Sequence, residues 1–376
     1  MDDRLRALRA FAAEWATDLR AIALDLDRDP DAVHRVLELP VMTYLATARH
    51  TEAPDSEPLV VGRYSYRLDT VLEQVVFFEE LARGDVGAVL AAPGAPMAGP
   101  LVDLLGDDDQ REWFFGRLHK QATWVFFALT EPGHGSDAGG IETELRSNGG
   151  GFHLSGAKRY IGNAPRSQLG VVFARERPGP LGVRAVVIEA PSPGLTITGL
   201  DTIGLRGAAL GALEMESVPV PADRVLGRHL PATRRGAASW VRVFNRLRPR
   251  VAALGVGLAR AAYDYTIAQI RHRHDLDDLR ERIEAARWLN LRAAAAVDAD
   301  PTDDRLPSAA KARAARLAEE VTLACLDYLG PGARFDHPLL GKLARDARGV
   351  EFMEGAGNVQ KLIVGHHLTR GGIHHG

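Results

Sequence analysis

The sequence predicts an α+β protein in which a helical unit, a compact β unit and a helical bundle follow one another. Apolar residues recur at spacings of three and four up to about residue 122 and again after about 229. Between 123 and 228 they fall instead into short runs broken by glycine and proline. At 376 residues the chain is long enough for two or three packed units.

In the first unit (1–122), Leu5, Leu8, Phe11, Trp15 and Leu19 form one helical stripe, and Val75, Phe78 and Leu81 belong to another. The stretch TARHTEAPDSEPLVVG between them reads as a polar, proline-bearing loop. In the middle unit (123–228), GFHLSG, LGVVFA, RAVVIEA, LTITGL and GALEMESVPVP read as strands of a barrel or sandwich. In the last unit (229–376), RVAALGVGLARAAYDYTIAQI, RERIEAARWLNLRAAAAV and SAAKARAARLAEEVTLACLDYL have lengths suited to a four-helix bundle.

Composition narrows the function. A formal net charge of −3, with 46% hydrophobic and 25% charged residues, gives no reason to expect nucleic acid or an anionic membrane as partner. The lone Cys325 leaves no disulfide framework and no thiolate metal cluster, which fits a reducing compartment. The first residues, MDDRLRALRAFAAEWATDL, lack an apolar signal core, and no run approaches a membrane span. A cytoplasmic chain is expected. The histidines of GHHLTRGGIHHG (His366, His367, His374, His375) read as a polar end, so no metal is expected.

FALTEPGHGSD, Phe127 to Asp137, carries glycines that admit a ligand to the backbone and hydroxyls at Thr130 and Ser136. Taken alone it reads sooner as a turn entering a β unit than as a ligand site. In context it is followed by GAKRYIGNA, GLRGAALGALEMESVPVPADRVLG, FNRLRPRVAALGVGLARAAYDYT and LARDARGVEFMEGAGNVQKLIVGHHL. That order and spacing, over roughly residues 75 to 370, resembles the acyl-CoA dehydrogenase family.

The resemblance implies that family's fold, FAD as cofactor and an acyl thioester of coenzyme A or acyl carrier protein as substrate. It makes Glu354 the base that takes the α-proton while the β-hydrogen leaves as hydride. A thioester α-proton is weakly acidic, so such a base must be desolvated and close. Phe352 and Met353 are expected as an apolar wall, Gly355 and Gly357 as room for flavin and acyl group, and Glu351 as solvent-facing. Arg248 matches a family arginine near the reacting centre, and the position of an alternative base is Leu247. By the same resemblance Phe127, Leu129, Thr130, Gly135, Ser136, Tyr160, Gly162 and Asn358 face the cofactor. Ser136, Asn245, Arg248 and Gly355 face the substrate.

Several positions depart from the family pattern. Gly162 and Ala356 replace hydroxyl residues, and Asn245 replaces an acidic one. Gln269 and His272 stand near the positions of an arginine and a phenylalanine that reach a neighbouring subunit's FAD, and Leu326 and Leu329 replace a glutamine and a glycine. Arg206 and Arg345 match family arginines that ion pairing also explains. Three readings follow: a homo-oligomeric dehydrogenase, a heteromer with a related subunit, or a redox-neutral isomerase or lyase using Glu354 without flavin. A purely structural subunit is a weaker fourth. The alanine- and arginine-rich composition suggests a GC-rich genome, and secondary metabolism is expected only by association with rebuilt family members there; the sequence names no electron acceptor.

Overall fold

Asp2 accepts from the Leu5 amide and so opens α1 (Asp3–Arg28), the start of the helical unit in the computed structural model, which describes residues 2–48, 58–235, 237–270 and 276–371. After a 3-10 turn, α2 (Pro40–Thr47) leads to a hairpin of β1 (Leu59–Val61) and β2 (Tyr64–Tyr66). The end of the expected loop is therefore a strand, its apolar Leu59 and Val61 half-buried on one side. Then come α3 (Val71–Ala91), α4 (Ala98–Leu105) and α5 (Asp108–Lys120). In α3 the backbone leaves helical geometry at Asp85, whose Oδ1 accepts from the Ala88 amide at 2.8 Å and caps the second half.

The middle unit is one curled, seven-stranded sheet. Its strands are β3 (Val125–Ala128), β4 (Glu144–Ser147), β5 (Gly151–Ile161), β6 (Leu169–Arg175), β7 (Val183–Glu189), β8 (Leu195–Gly199) and β9 (Gly211–Pro221). All five stretches read as strands from the sequence lie in it, together with β3 and β4. β6, apolar up to its final Arg175, runs parallel to β3 and antiparallel to β7. Its alternation explains why both faces are apolar. Leu169, Val171 and Phe173 join a core shared with α4 and α5, while Val172 and Ala174 point into the sheet's own interior. Gly170 has no alternative, since a Cβ there would collide with the Phe126 ring.

The last unit comprises α6 (Ala237–Gln269), α7 (Asp277–Ala299), α8 (Arg305–Leu329), the short α9 (Ala333–Asp336), α10 (Pro338–Val350) and α11 (Gly357–Gly371). The connection from α6 to α7 includes His272, which lies outside the described residues. Buried residues of α1, α3, α6, α7, α8 and α10 form a single core, so the first and last helical segments are packed together.

A buried ion cluster ties all three segments. Lys342 on α10 donates to Asp85 Oδ2 and Asp346 Oδ2 at 2.5 Å each, and Asp346 Oδ1 accepts from the Leu205 amide at 2.6 Å. Burial pushes the Asp346 carboxyl upward against the pull of Lys342. Arg345 pairs with Asp27 at 2.6 Å, a structural use of that arginine. Among the described residues no helix is long and apolar enough to cross a membrane.

Candidate active site

Between α10 and α11 the chain makes a tight turn, Glu351 to Ala356, and not the continuous helix that VEFMEGAGN suggests. Glu354 takes a left-handed conformation, φ +47°, and Gly355 follows at φ +99°. A non-glycine residue there stores about 1–2 kcal/mol of strain, held only if the surroundings over-determine it. They do. Lys311 of α8, wholly buried, donates to the Glu351 carbonyl at 2.6 Å and the Gly355 carbonyl at 2.8 Å. Gln360 Nε2 donates to the Glu354 and Gly355 carbonyls, each at 3.1 Å. Glu351 Oε1 accepts from the Gly357 amide at 2.7 Å, capping α11.

Two expectations are corrected here. Glu351 is a half-buried cap rather than a solvent-facing residue, because the α11 amide it accepts from lies inside the turn. Phe352 is 71% exposed and forms no wall, whereas Met353 packs on the helical core. The glycines also meet the protein's own side chains. A Cβ on Gly355 would meet Gln360 Nε2 at 2.5 Å, and one on Gly357 would meet Glu351 Oε1 at 2.5 Å.

The Glu354 carboxylate points inward, and its Oε2 is buried without a hydrogen-bond partner. Burial pushes its pKa up to about 7, against the pull of Arg250, Lys311 and Arg248 in that order. Both arginines come from α6. Arg248 is buried, not an exposed bundle arginine, and donates to Asn245 Oδ1 at 2.8 Å. Arg250 donates to the Pro96 carbonyl at 2.7 Å, with its guanidinium 5.1 Å from the Phe78 ring centre. Burial pushes Arg250 down to about 10 and Lys311 to about 8. Leu247 is buried in the apolar core, so α6 presents no carboxylate at that place.

Lys311→Met is expected to cost about 3–5 kcal/mol of unfolding free energy, since two charge-assisted hydrogen bonds are lost and the Glu351 carbonyl loses its lysine donor, while Gln360 still serves Gly355. Denaturant unfolding checks it; a loss under about 1 kcal/mol would mean the turn holds without the lysine.

The second cluster lies on the sheet. Glu131 is buried and accepts from the Glu142 amide, the Thr143 amide and hydroxyl, and Lys158 Nζ at 2.9 Å. Lys158 also donates to the Leu129 carbonyl at 3.0 Å. This buried pair fixes the loop holding Thr130, Gly133, Gly135 and Ser136 against β5. A bulge in the β5–β9 pairing between Lys158 and Ile161 turns Tyr160 outward, at φ +61° and 60% exposed. A Cβ on Gly133 or Gly135 would meet nothing within 4 Å, and one on Gly162 only Leu210 at 4.0 Å. The result is an open, backbone-rich surface beside an aromatic face, fit for a large planar ligand with polar edges.

The sheet reaches α6 through Phe127, whose ring centre lies 6.1 Å from that of Phe244, the residue before Asn245 in sequence. Asn245 is buried, Asn358 is exposed in the first turn of α11, and Ser136 is exposed. Sequence reasoning missed Lys311, although it falls on the buried stripe of α8 with Ala314, Ala318 and Val321, an odd place for a lysine. It also missed Arg250, which no spacing marked. His367 pairs with Asp304, and no group of metal-ligating side chains occurs among the described residues; His374 and His375 lie outside them.

Family models for the acyl-CoA dehydrogenase middle domain and C-terminal domain match residues 126–218 and 234–369. The chain belongs to the acyl-CoA dehydrogenase family. It is 29% identical over 307 residues to the probable acyl-CoA dehydrogenase YngJ of Bacillus subtilis, covering 77% of this chain and 80% of that protein. A glutaryl-CoA dehydrogenase from Mycobacterium smegmatis in complex with FADH2 shares the fold at TM-score 0.83 and 19% identity, over 98% of this chain and 95% of that one. The prolyl acyl carrier protein oxidase AnaB does so at TM-score 0.82 and 19% identity, over 98% and 99%.

Proposed function

We propose that this family member removes the α- and β-hydrogens of an acyl thioester with FAD as cofactor, and that Glu354 is its base. The observation that supports this most is the Glu354 carboxylate itself: buried, unpartnered at Oε2 and held in a strained turn by side chains from α8 and α11. A carboxylate whose pKa lies near 7 is a competent acceptor for a carbon-bound proton at neutral pH.

Thr130, Gly135, Ser136, Tyr160 and Gly162 would hold the flavin, with Phe127 and Leu129 behind them and Asn358 at the start of α11. FAD, when bound, supplies the two-electron acceptor for the β-hydrogen. The chain's own work is to orient the acyl group, exclude water and take the α-proton at Glu354 Oε2. Arg250, Lys311 and Arg248, the last fixed by Asn245, stabilise the ionised carboxylate.

A second reading is favoured by Leu326, which is buried in the helical core, and by Leu329, packed against that core. Neither offers a polar group to a neighbour's cofactor, so a related subunit would supply contacts in a heteromer. The purified chain is expected to carry about one releasable FAD per subunit that bleaches anaerobically with acyl thioesters. Full flavin in a homo-oligomer sinks the heteromer, and a chain that neither carries nor takes up FAD sinks the homo-oligomeric dehydrogenase.

A further inference from the structure

Arg250 is the first of the cations that pull on Glu354, and part of its guanidinium has no partner. It is 7% exposed, and one guanidinium nitrogen, Nη2, is spent on the Pro96 carbonyl in the α3–α4 connection. The other, Nη1, is buried and donates to nothing among the described residues. Glu354 is near enough to feel its charge, yet no ion pair within 4.0 Å joins them among the described residues, and Glu354 Oε2 is likewise unmet. A buried charged donor without an acceptor is costly, so its partner is expected to arrive with the ligand.

We infer that Arg250 is a specificity residue that receives a hydrogen-bond acceptor, by preference a carboxylate, carried on the acyl chain away from the thioester. This rests on the thioester reading above. The site's charge supports it. Arg250 feels the charges of Glu354 and of a second cation, Arg246, whereas the carboxylates Asp304 and Glu351 act on Arg248 and Lys311. An acyl group bearing an ammonium would meet like charge, and a plain alkyl chain would leave Nη1 dry and unmet. With Nη2 tethered to Pro96, the free nitrogen offers an end-on contact to one oxygen rather than a two-point clamp.

The test uses the flavin-loaded Glu354→Gln protein, so that thioesters bind without reacting. Pantetheine thioesters, common to coenzyme A and carrier protein, are compared by calorimetry in matched pairs: succinyl with butyryl, glutaryl with pentanoyl, adipoyl with hexanoyl. At least one carboxylated member should bind about 10–100-fold more tightly than its alkyl partner, as one charge-assisted hydrogen bond allows. Arg250→Met in the same background should abolish or reverse that preference. Equal binding within all three pairs overturns the inference alone, and would mean that Nη1 is met by water. Absence of binding by all six overturns the thioester reading and this inference with it. Should the Arg250 variant fail to fold, the pairwise preference with Arg250 in place still decides.

Discussion

Glu354→Gln is expected to lower kcat by about 10²–10⁴-fold while acyl thioesters still bind, because the change removes the proton acceptor and keeps its shape. The same substitution should make the ligand-free protein more stable. The Glu354 carboxyl is raised from 4.5 to about 7 by burial. Stability associated with its protonated form is complete below the unfolded value and is lost as pH rises through the folded one. Above pH 7 the ionised carboxylate is thus a burden of about 3 kcal/mol, which glutamine does not carry. Denaturant unfolding at pH 8 should show that gain, and unfolding at pH 4 should not. In the wild type the acid limb of kcat/KM should fall near pH 7. A variant that keeps turnover, or one that unfolds like the wild type at pH 8, would remove Glu354 from the role of desolvated base.

That opposition between stability and activity explains what was legible in the sequence. The strands of the middle unit announce themselves because alternation and glycine punctuation are local, as in LGVVFA. Glu354 was legible through its place in a pattern of motifs, but its conformation was not. The left-handed turn is imposed by Lys311, 40 residues from Glu351, and by Gln360 in the following helix. No local propensity predicts a glutamate at positive φ. The same holds for Glu351, which looks like a solvated helical residue until α11 is seen to begin at Gly357. Arg250 was unreadable for the opposite reason. An arginine after RP on a helix is ordinarily surface, and only the packing of Phe78 and the Pro96 connection against α6 makes it interior. Long-range burial, not pattern, turned these charged residues into site residues.

Lys342→Met should be the most damaging substitution away from the reacting groups, costing about 3–5 kcal/mol, since it strands two buried carboxylates without their cation. Asp85 and Asp346 are both fully buried, and each contacts Lys342 at 2.5 Å. Without the lysine, burial and the neighbouring Asp85 act together and raise the Asp346 carboxyl further. Groups with raised folded pKa values lose their stabilising influence as pH rises, so the variant should be further below the wild type at pH 8 than at pH 5. Lys342→Met with Asp85→Asn should recover part of the loss. One stranded charge is then gone, while the side-chain amide oxygen at that position can still accept from the Ala88 backbone. A loss under about 1 kcal/mol, equal at both pH values, would show that the cluster is not what binds the segments. The consequence reaches the site through α10. Lys342 and Asp346 fix that helix to the α3 kink and to the Leu205 amide, and α10 ends at Val350, one residue before the turn that strains Glu354. A loosened α10 relaxes that turn, so activity should fall at temperatures where the variant is still folded.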